Sequence, residues 1–198
     1  MRLLKRWESF FLMNQKIRNI LDFWFVETPS EKRFKKDSKF DNLIKEKFLK
    51  DYELAITNKL DDWQESKEGC LALIVLIDQF SRNLFRENKK AFEFDFKARE
   101  ILNKIIEKNY LEKMNNSEKF FSLLPFIHSE DINDHEKLYK LMDQYLKDHP
   151  GIKDIKKFWK DHTKAIKKFS RYPHRNKVLG RKSTLEEIEF LKQPNSSW

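Results

Sequence analysis

Apolar side chains recur at three- and four-residue intervals along nearly the whole chain, the spacing that lines one face of an α-helix. Residues 14–26 place Ile17, Ile20, Leu21 and Trp24 on such a face. Thr28, Pro29 and Ser30 then break the segment, because a residue before proline is pushed out of the helical region. Residues 38–58 repeat Phe40, Leu43, Ile44, Phe48, Tyr52, Ala55 and Ile56. Residues 67–86 differ in kind: their first half is apolar all round, which marks a central helix buried on every side. A buried strand shares such a run, but here the pattern continues through Phe80 and Leu84 at helical spacing. Residues 89–109 carry Phe92, Phe96, Ile101, Leu102, Ile105 and Ile106 on one face. A shorter helix opens at Ser117 and runs to about Phe126, interrupted by Pro125. Segments 131–147, 153–170 and 184–192 complete the series, the last opening with Thr184 and Glu187 at capping-box spacing.

Composition reinforces this pattern. The 198 residues include three Gly and five Pro, too few breakers for a many-turned β fold. The 18 Phe supply large surfaces to bury. No linker, low-complexity stretch or fixed-period repeat divides the chain. The expected architecture is all-α: one helical domain over 13–198, built of stacked antiparallel hairpins around the buried central helix. Met13 is available as an alternative start, which sets 1–12 apart as an N-terminal extension.

Two function classes recede on the same grounds. The longest apolar run, Leu71 to Ile77, is far short of the roughly 18 residues a membrane span needs, and Trp7, Glu8 and Ser9 interrupt any signal-peptide core. No membrane association is expected, and the single cysteine, Cys70, points to a reducing, cytoplasmic setting; it reads as a small buried hydrophobe. The net charge of +9 invites nucleic acid, but 41 basic residues are scattered among 32 acidic ones with no basic run beyond pairs and triplets. That distribution argues against nucleic acid as a partner. No metal-ligand spacing and no cofactor motif is present, so neither a metal nor a cofactor is expected.

Arginine is where chemistry concentrates. Ten of the basic residues are Arg, and a chain biased towards Lys keeps Arg where a planar fork is needed. Asp78, Gln79, Arg82, Asn83 and Arg86 crowd the end of the buried helix, with Asp78–Arg82 and Arg82–Arg86 as i,i+4 neighbours. Asp95 and Arg99 have the same spacing and suggest an intrahelical pair. His128 and Glu130 follow the Pro-broken helix. His162 falls on the apolar stripe of Ile155, Trp159, Ile166 and Phe169. The densest stretch, Arg171 to Arg181, holds His174, Arg175 and Asn176 between Pro173 and Gly180, with Arg181 just after, a loop suited to an anion such as phosphate or carboxylate.

Several of these motifs in order resemble the bacterial domain-of-unknown-function family 924. They are Asp22-Phe-Trp-Phe25, Phe40-Asp41, Trp63, Leu76-Ile-Asp-Gln-Phe-Ser-Arg-Asn-Leu-Phe-Arg86, Asp95 with Ala98-Arg99, Pro125-Phe-Ile-His-Ser-Glu130, His162, Arg171-Tyr-Pro-His-Arg-Asn176 and Gly180-Arg181 with Ser183-Thr184. The similarity spans about Ile17 to Leu191. It implies a right-handed, tetratricopeptide-like array of helices and no established reaction.

Two readings follow. In the first, Asp78, Arg82, Asn83, Arg86, Arg175, Asn176 and Arg181 bind an anionic small molecule, and His128, His162 or His174 serves as general acid or base, oriented by Asp78 or Glu130. No nucleophile motif selects hydrolysis over transfer. In the second, the helices form a tetratricopeptide-like scaffold for a peptide or protein partner. The first requires Arg82, His128, Glu130, His162 and Arg175 to converge on one cavity.

Overall fold

A computed structural model describes residues 2–197 of the chain, with side chains from Phe10 onward. The chain is all-α: the described residues form helices and no strand. Helix α1 (Arg2–Asp22) passes into a π-helical turn, Phe23–Glu27, and α2 spans Ser38–Ile56. Helix α3 (Lys67–Ile74) runs through a π-helical segment, Val75–Phe80, into α4 (Ser81–Leu84). Then follow α5 (Asp95–Glu107), α6 (Asn116–Ile127), α7 (Ile132–Tyr145), α8 (Ile152–Phe169) and α9 (Leu185–Leu191). Residues 2–12 belong to the same helix as Asn14–Asp22, while Met1 of the expected extension lies outside the described residues.

Side-chain caps set most of the starts. Asp37 accepts from the Lys39 and Phe40 amides to open α2, and Ser66 accepts from the Gly69 amide to open α3. Each satisfies donors that the first helical turn leaves without a partner. The Thr184–Glu187 capping box opens α9 as expected. Helix α6 starts earlier than its sequence pattern suggests, on a capping box between Asn115 and Glu118. It also runs through Pro125 to Ile127 instead of breaking there. The ring leaves the Phe121 carbonyl without its usual amide partner, and burial of Leu123, Leu124, Phe126 and Ile127 holds the turn in place. The segment 89–109 is shorter in helix than its periodicity predicts. Asn88 caps a single 3-10 turn, Lys89–Ala91, and α5 begins at Asp95.

The α3–π rod is the centre of the core, and every residue from Cys70 to Phe80 is buried. Helices α1, α2, α5 and α6 pack around it. The Phe80 ring meets Phe48 at 4.9 Å, Trp24 at 5.5 Å and Phe23 at 6.0 Å. The π turn after α1 therefore packs on the π segment of the central rod. Such aromatic pairs add roughly 0.5–1.5 kcal/mol each beyond burial. Cys70 is buried in the same rod, and burial pushes its thiol up to about 11, which leaves it an unreactive hydrophobe.

Helix α8 shows where positive charge goes. Ile155, Trp159, His162 and Ile166 face inward, while Lys153, Lys156, Lys157, Lys160, Lys164, Lys167 and Lys168 are all exposed. At about 100° per residue these lysines share one arc, a solvated face opposite the core. No helix among the described residues is long and apolar enough to cross a membrane.

Gly69 marks the tightest approach in this core. A Cβ there would sit 1.9 Å from the Trp63 carbonyl oxygen, so backbone must move to admit it. Gly69→Ala should destabilise the fold by about 1–3 kcal/mol, read as a lower urea midpoint with an unchanged slope.

Candidate functional site

The site is assembled at the C-terminal end of α6. The last carbonyls of a helix have no intrahelical partner, and here they are buried. The Tyr172 hydroxyl donates to the Ile127 carbonyl, Arg175 Nη1 donates to the His128 carbonyl at 3.0 Å, and His135 Nε2 lies 2.9 Å from the Ser129 carbonyl. The Arg175 cation also complements the negative end of the helix dipole. The loop after α8 is thereby hooked across the end of α6. Glu130 secures it further: it accepts the Tyr172 amide at 2.8 Å and the Arg181 guanidinium at 2.6 and 2.9 Å.

His128 sits at the C-cap of α6 and meets the π segment of the central rod. Its Nδ1 lies 2.7 Å from Asp78 Oδ1. Asp78 has no exposed surface. Its other oxygen accepts from Gln79 Nε2 at 2.6 Å, and Arg82 Nη2 lies 3.5 Å from Oδ1. Burial alone would raise this carboxyl; His128, Arg82 and Gln79 outweigh burial and hold it below its ordinary value. An ionised Asp78 makes Nδ1 the donor, so in the neutral ring Nε2 carries the lone pair. The wide π turn, a feature frequent at functional sites, carries both Asp78 and Gln79.

Asp95, in the first turn of α5, joins two arginines from distant parts of the chain. Arg82 Nη2 is 2.8 Å from Asp95 Oδ1 and Arg175 Nη1 is 3.6 Å from Oδ2. The expected intrahelical pair with Arg99 is therefore replaced: Arg99 turns to Asp134 on α7 at 3.4 Å. Phe92 completes the cluster, with the Arg82 guanidinium 4.7 Å and the Arg175 guanidinium 4.6 Å from its ring centroid. The Tyr172 ring centroid also lies 4.6 Å from the Arg175 guanidinium. Burial pulls the Arg175 pKa down, with Asp95 acting against it.

A cavity of about 440 Å³ opens beside this cluster. His128, Glu130 and Arg175 line it together with Asp95, Phe92 and Arg99. The volume falls in the range of small-molecule pockets. The structure brings three of the expected residues to this wall; Asp78 bonds to His128, and Arg82 bridges Asp78 and Asp95 without lining the cavity. His162 is elsewhere: it is 2% exposed, its Nδ1 lies 2.8 Å from the Phe158 carbonyl and its ring meets Tyr172 edge-on at 5.9 Å. His174 packs on the same Tyr172 at 5.4 Å. Asn83 and Arg86 form another cluster, both bound to Asp41 of α2, Arg86 through two bonds of 2.6 Å. Asn176 donates to Ser183, and Arg171 holds Glu187 at 2.5 and 2.7 Å. Among the described residues no group of three or more His, Cys, Asp or Glu is placed to hold a metal ion.

In the sequence the spacing of Phe92 and Phe96 matches a core face and gives no sign of a site. The signal lies in the neighbouring Asn88 and Asp95, two helix-start residues that cut the periodic segment in two. Asp41 carried no such signal beyond its place in the Phe40-Asp41 motif.

A family model for bacterial proteins of unknown function, DUF924, matches residues 20–195. A solved structure of a protein of unknown function from Agrobacterium tumefaciens is similar, at 32% identity and a TM-score of 0.78, and the match covers 89% of this chain and 96% of that one. No curated protein matches the chain.

The buried imidazoles make the fold sensitive to acid. Burial holds His162 down at about 2 and His174, next to Arg175, at about 3, against an ordinary value of 6.5. Folding depresses both, so the unfolded chain binds more protons. Their stabilisation is fully present above pH 6.5 and is lost as pH falls from there towards 3. Near pH 5 these two imidazoles should add about two protons to the uptake on unfolding, and one of them should be missing in His162→Gln; urea titrations at stepped pH measure this, and equal stability at pH 7 and 5 would count against neutral burial.

Proposed function

The chain belongs to the DUF924 family of bacterial proteins, and on that premise we propose that it binds an anionic small molecule in the cavity beside α6 and acts on it by general-base chemistry. His128 is the base. Asp78 orients it and stabilises the imidazolium that forms when Nε2 takes a proton from water or a substrate hydroxyl. Arg175 holds the anionic group or the charge that develops on it. Arg82 and Asp95 are positioning residues that fix Arg175, and Arg181 does the same for Glu130. His162 and His174, neutral around Tyr172, serve as packing for the hook. The observation that carries this reading is the 2.7 Å pair of His128 with a fully buried carboxylate at the wall of a cavity. Perturbed carboxylates paired to a histidine in a cleft are a recurring mark of functional sites.

The consecutive packing of α5 on α6, α6 on α7 and α7 on α8 supports a tetratricopeptide-like array as the frame for this site. The lone buried cysteine fits a reducing, cytoplasmic setting. A cavity of this volume with His128 in its lining, backed by the buried Asp78, favours a small molecule over a peptide laid in a groove.

The test is turnover in a bacterial metabolite extract, followed by mass spectrometry, with wild type and His128→Gln. A compound consumed by wild type should be consumed at least about 100-fold more slowly by the variant, with near-ultraviolet circular dichroism unchanged. Equal consumption by both, or consumption by neither, contradicts the general-base role.

A further inference from the structure

We infer that the anion this cavity takes is an organic monocarboxylate with an apolar body, not a phosphorylated metabolite; the inference rests on reading the cavity as a small-molecule site. Three features of the wall point there.

The first is charge balance. Lys89, Arg99 and Arg175 supply three basic groups to the lining, and Glu93, Asp95 and Glu130 supply three acidic ones. Most of the cations already have partners: Arg99 faces Asp134 at 3.4 Å and Arg175 faces Asp95 at 3.6 Å. Asp95 and Glu130 are bound in turn by Arg82 and Arg181, and with Asp78 and Asp134 counted the balance is still even, so a phosphate dianion would find no surplus of positive charge to offset its two charges. A single negative charge suits this balance.

The second is the geometry of the cation. Arg175 is 7% exposed, with its guanidinium carbon 4.6 Å from the Phe92 ring centroid and 4.6 Å from that of Tyr172. Its Nη1 is committed to the His128 carbonyl, and its Nε is buried without a hydrogen-bond partner among the described residues. With Nη1 taken and Nε shut off from solvent, Nη2 is the nitrogen left to meet a ligand, which suits one oxygen of a singly charged anion better than the several oxygens of a phosphate.

The third is the apolar lining. Phe92, Phe96 and Leu179 share the wall with the charged groups. Phe96 is 48% exposed. With the half-buried Phe92 and Leu179 it lines one apolar stretch of the cavity and is not a ring exposed singly, and this stretch would cover the hydrocarbon part of a ligand whose carboxylate sits on Arg175.

Thermal melting of the full chain at matched ionic strength tests this with 3-phenylpropionate, acetate and inorganic phosphate, on wild type, Phe96→Ala and Arg175→Lys. Phenylpropionate should raise the wild-type melting temperature most, acetate less and phosphate not at all. Phe96→Ala, at an exposed position, should melt like wild type without ligand and bind phenylpropionate about tenfold more weakly. Arg175→Lys keeps the charge but should lose the response to both carboxylates. Stabilisation by phosphate in place of phenylpropionate overturns the carboxylate assignment and leaves an anion site standing. Phenylpropionate stabilisation that is equal in all three proteins places its binding elsewhere and overturns the inference. No response to any of the three anions overturns the small-molecule reading together with it.

Discussion

A carboxylate with no exposed surface must be compensated, and the site depends on how Asp78 meets that demand. An isolated buried charge is far too costly to persist. Asp78 is relieved by three donors at once: His128 from α6, Gln79 beside it and Arg82 one turn on. Only the first comes from another helix. The pair therefore fixes the end of α6 against the central rod as well as the orientation of the His128 ring. Removing one member of such a buried set leaves the others uncompensated, which typically costs about 3–5 kcal/mol. The same contact thus belongs to the fold and to the proposed chemistry.

The end of α6 carries the argument outward. Its C-terminal carbonyls need donors, and Tyr172, Arg175 and His135 provide them. Arg175 then shares Asp95 with Arg82, which closes a loop from the central rod through α5 and the post-α8 hook back to α6. Packing alone would not place a guanidinium at this cavity. The demand of buried backbone for hydrogen bonds brings Arg175 there, and the Phe92 and Tyr172 rings pack against it. Chemistry at the wall follows from satisfying helix ends.

Much of the fold was legible in the sequence, for a local reason. Helical spacing, Thr184 with Glu187 and the all-apolar run before Phe80 each depend on residues within one turn or one helix, and each segment is found where expected. Boundaries failed where two local signals competed. Phe92 and Phe96 extended a helical stripe that Asn88 and Asp95 cut short, and Pro125 read as a break because the burial that sustains it comes from other helices. The site was legible in its parts and not in its pairings. Asp78, Arg82, His128, Glu130 and Arg175 stood out by type. That Asp95 would leave Arg99 for two arginines 13 and 80 positions away, or that Arg86 would close on Asp41, depends on long-range packing that no spacing encodes.

The protonation of His128 is the most direct test of this account. In ¹⁵N-labelled protein at neutral pH, imidazole nitrogen resonances report which ring atom bears the proton. An ionised, buried Asp78 predicts His128 protonated at Nδ1, with a strongly downfield Nδ1 proton that disappears in Asp78→Asn. A His128 protonated only at Nε2 in wild type, or an unchanged tautomer in the variant, would contradict the claim that Asp78 sets the reactive nitrogen.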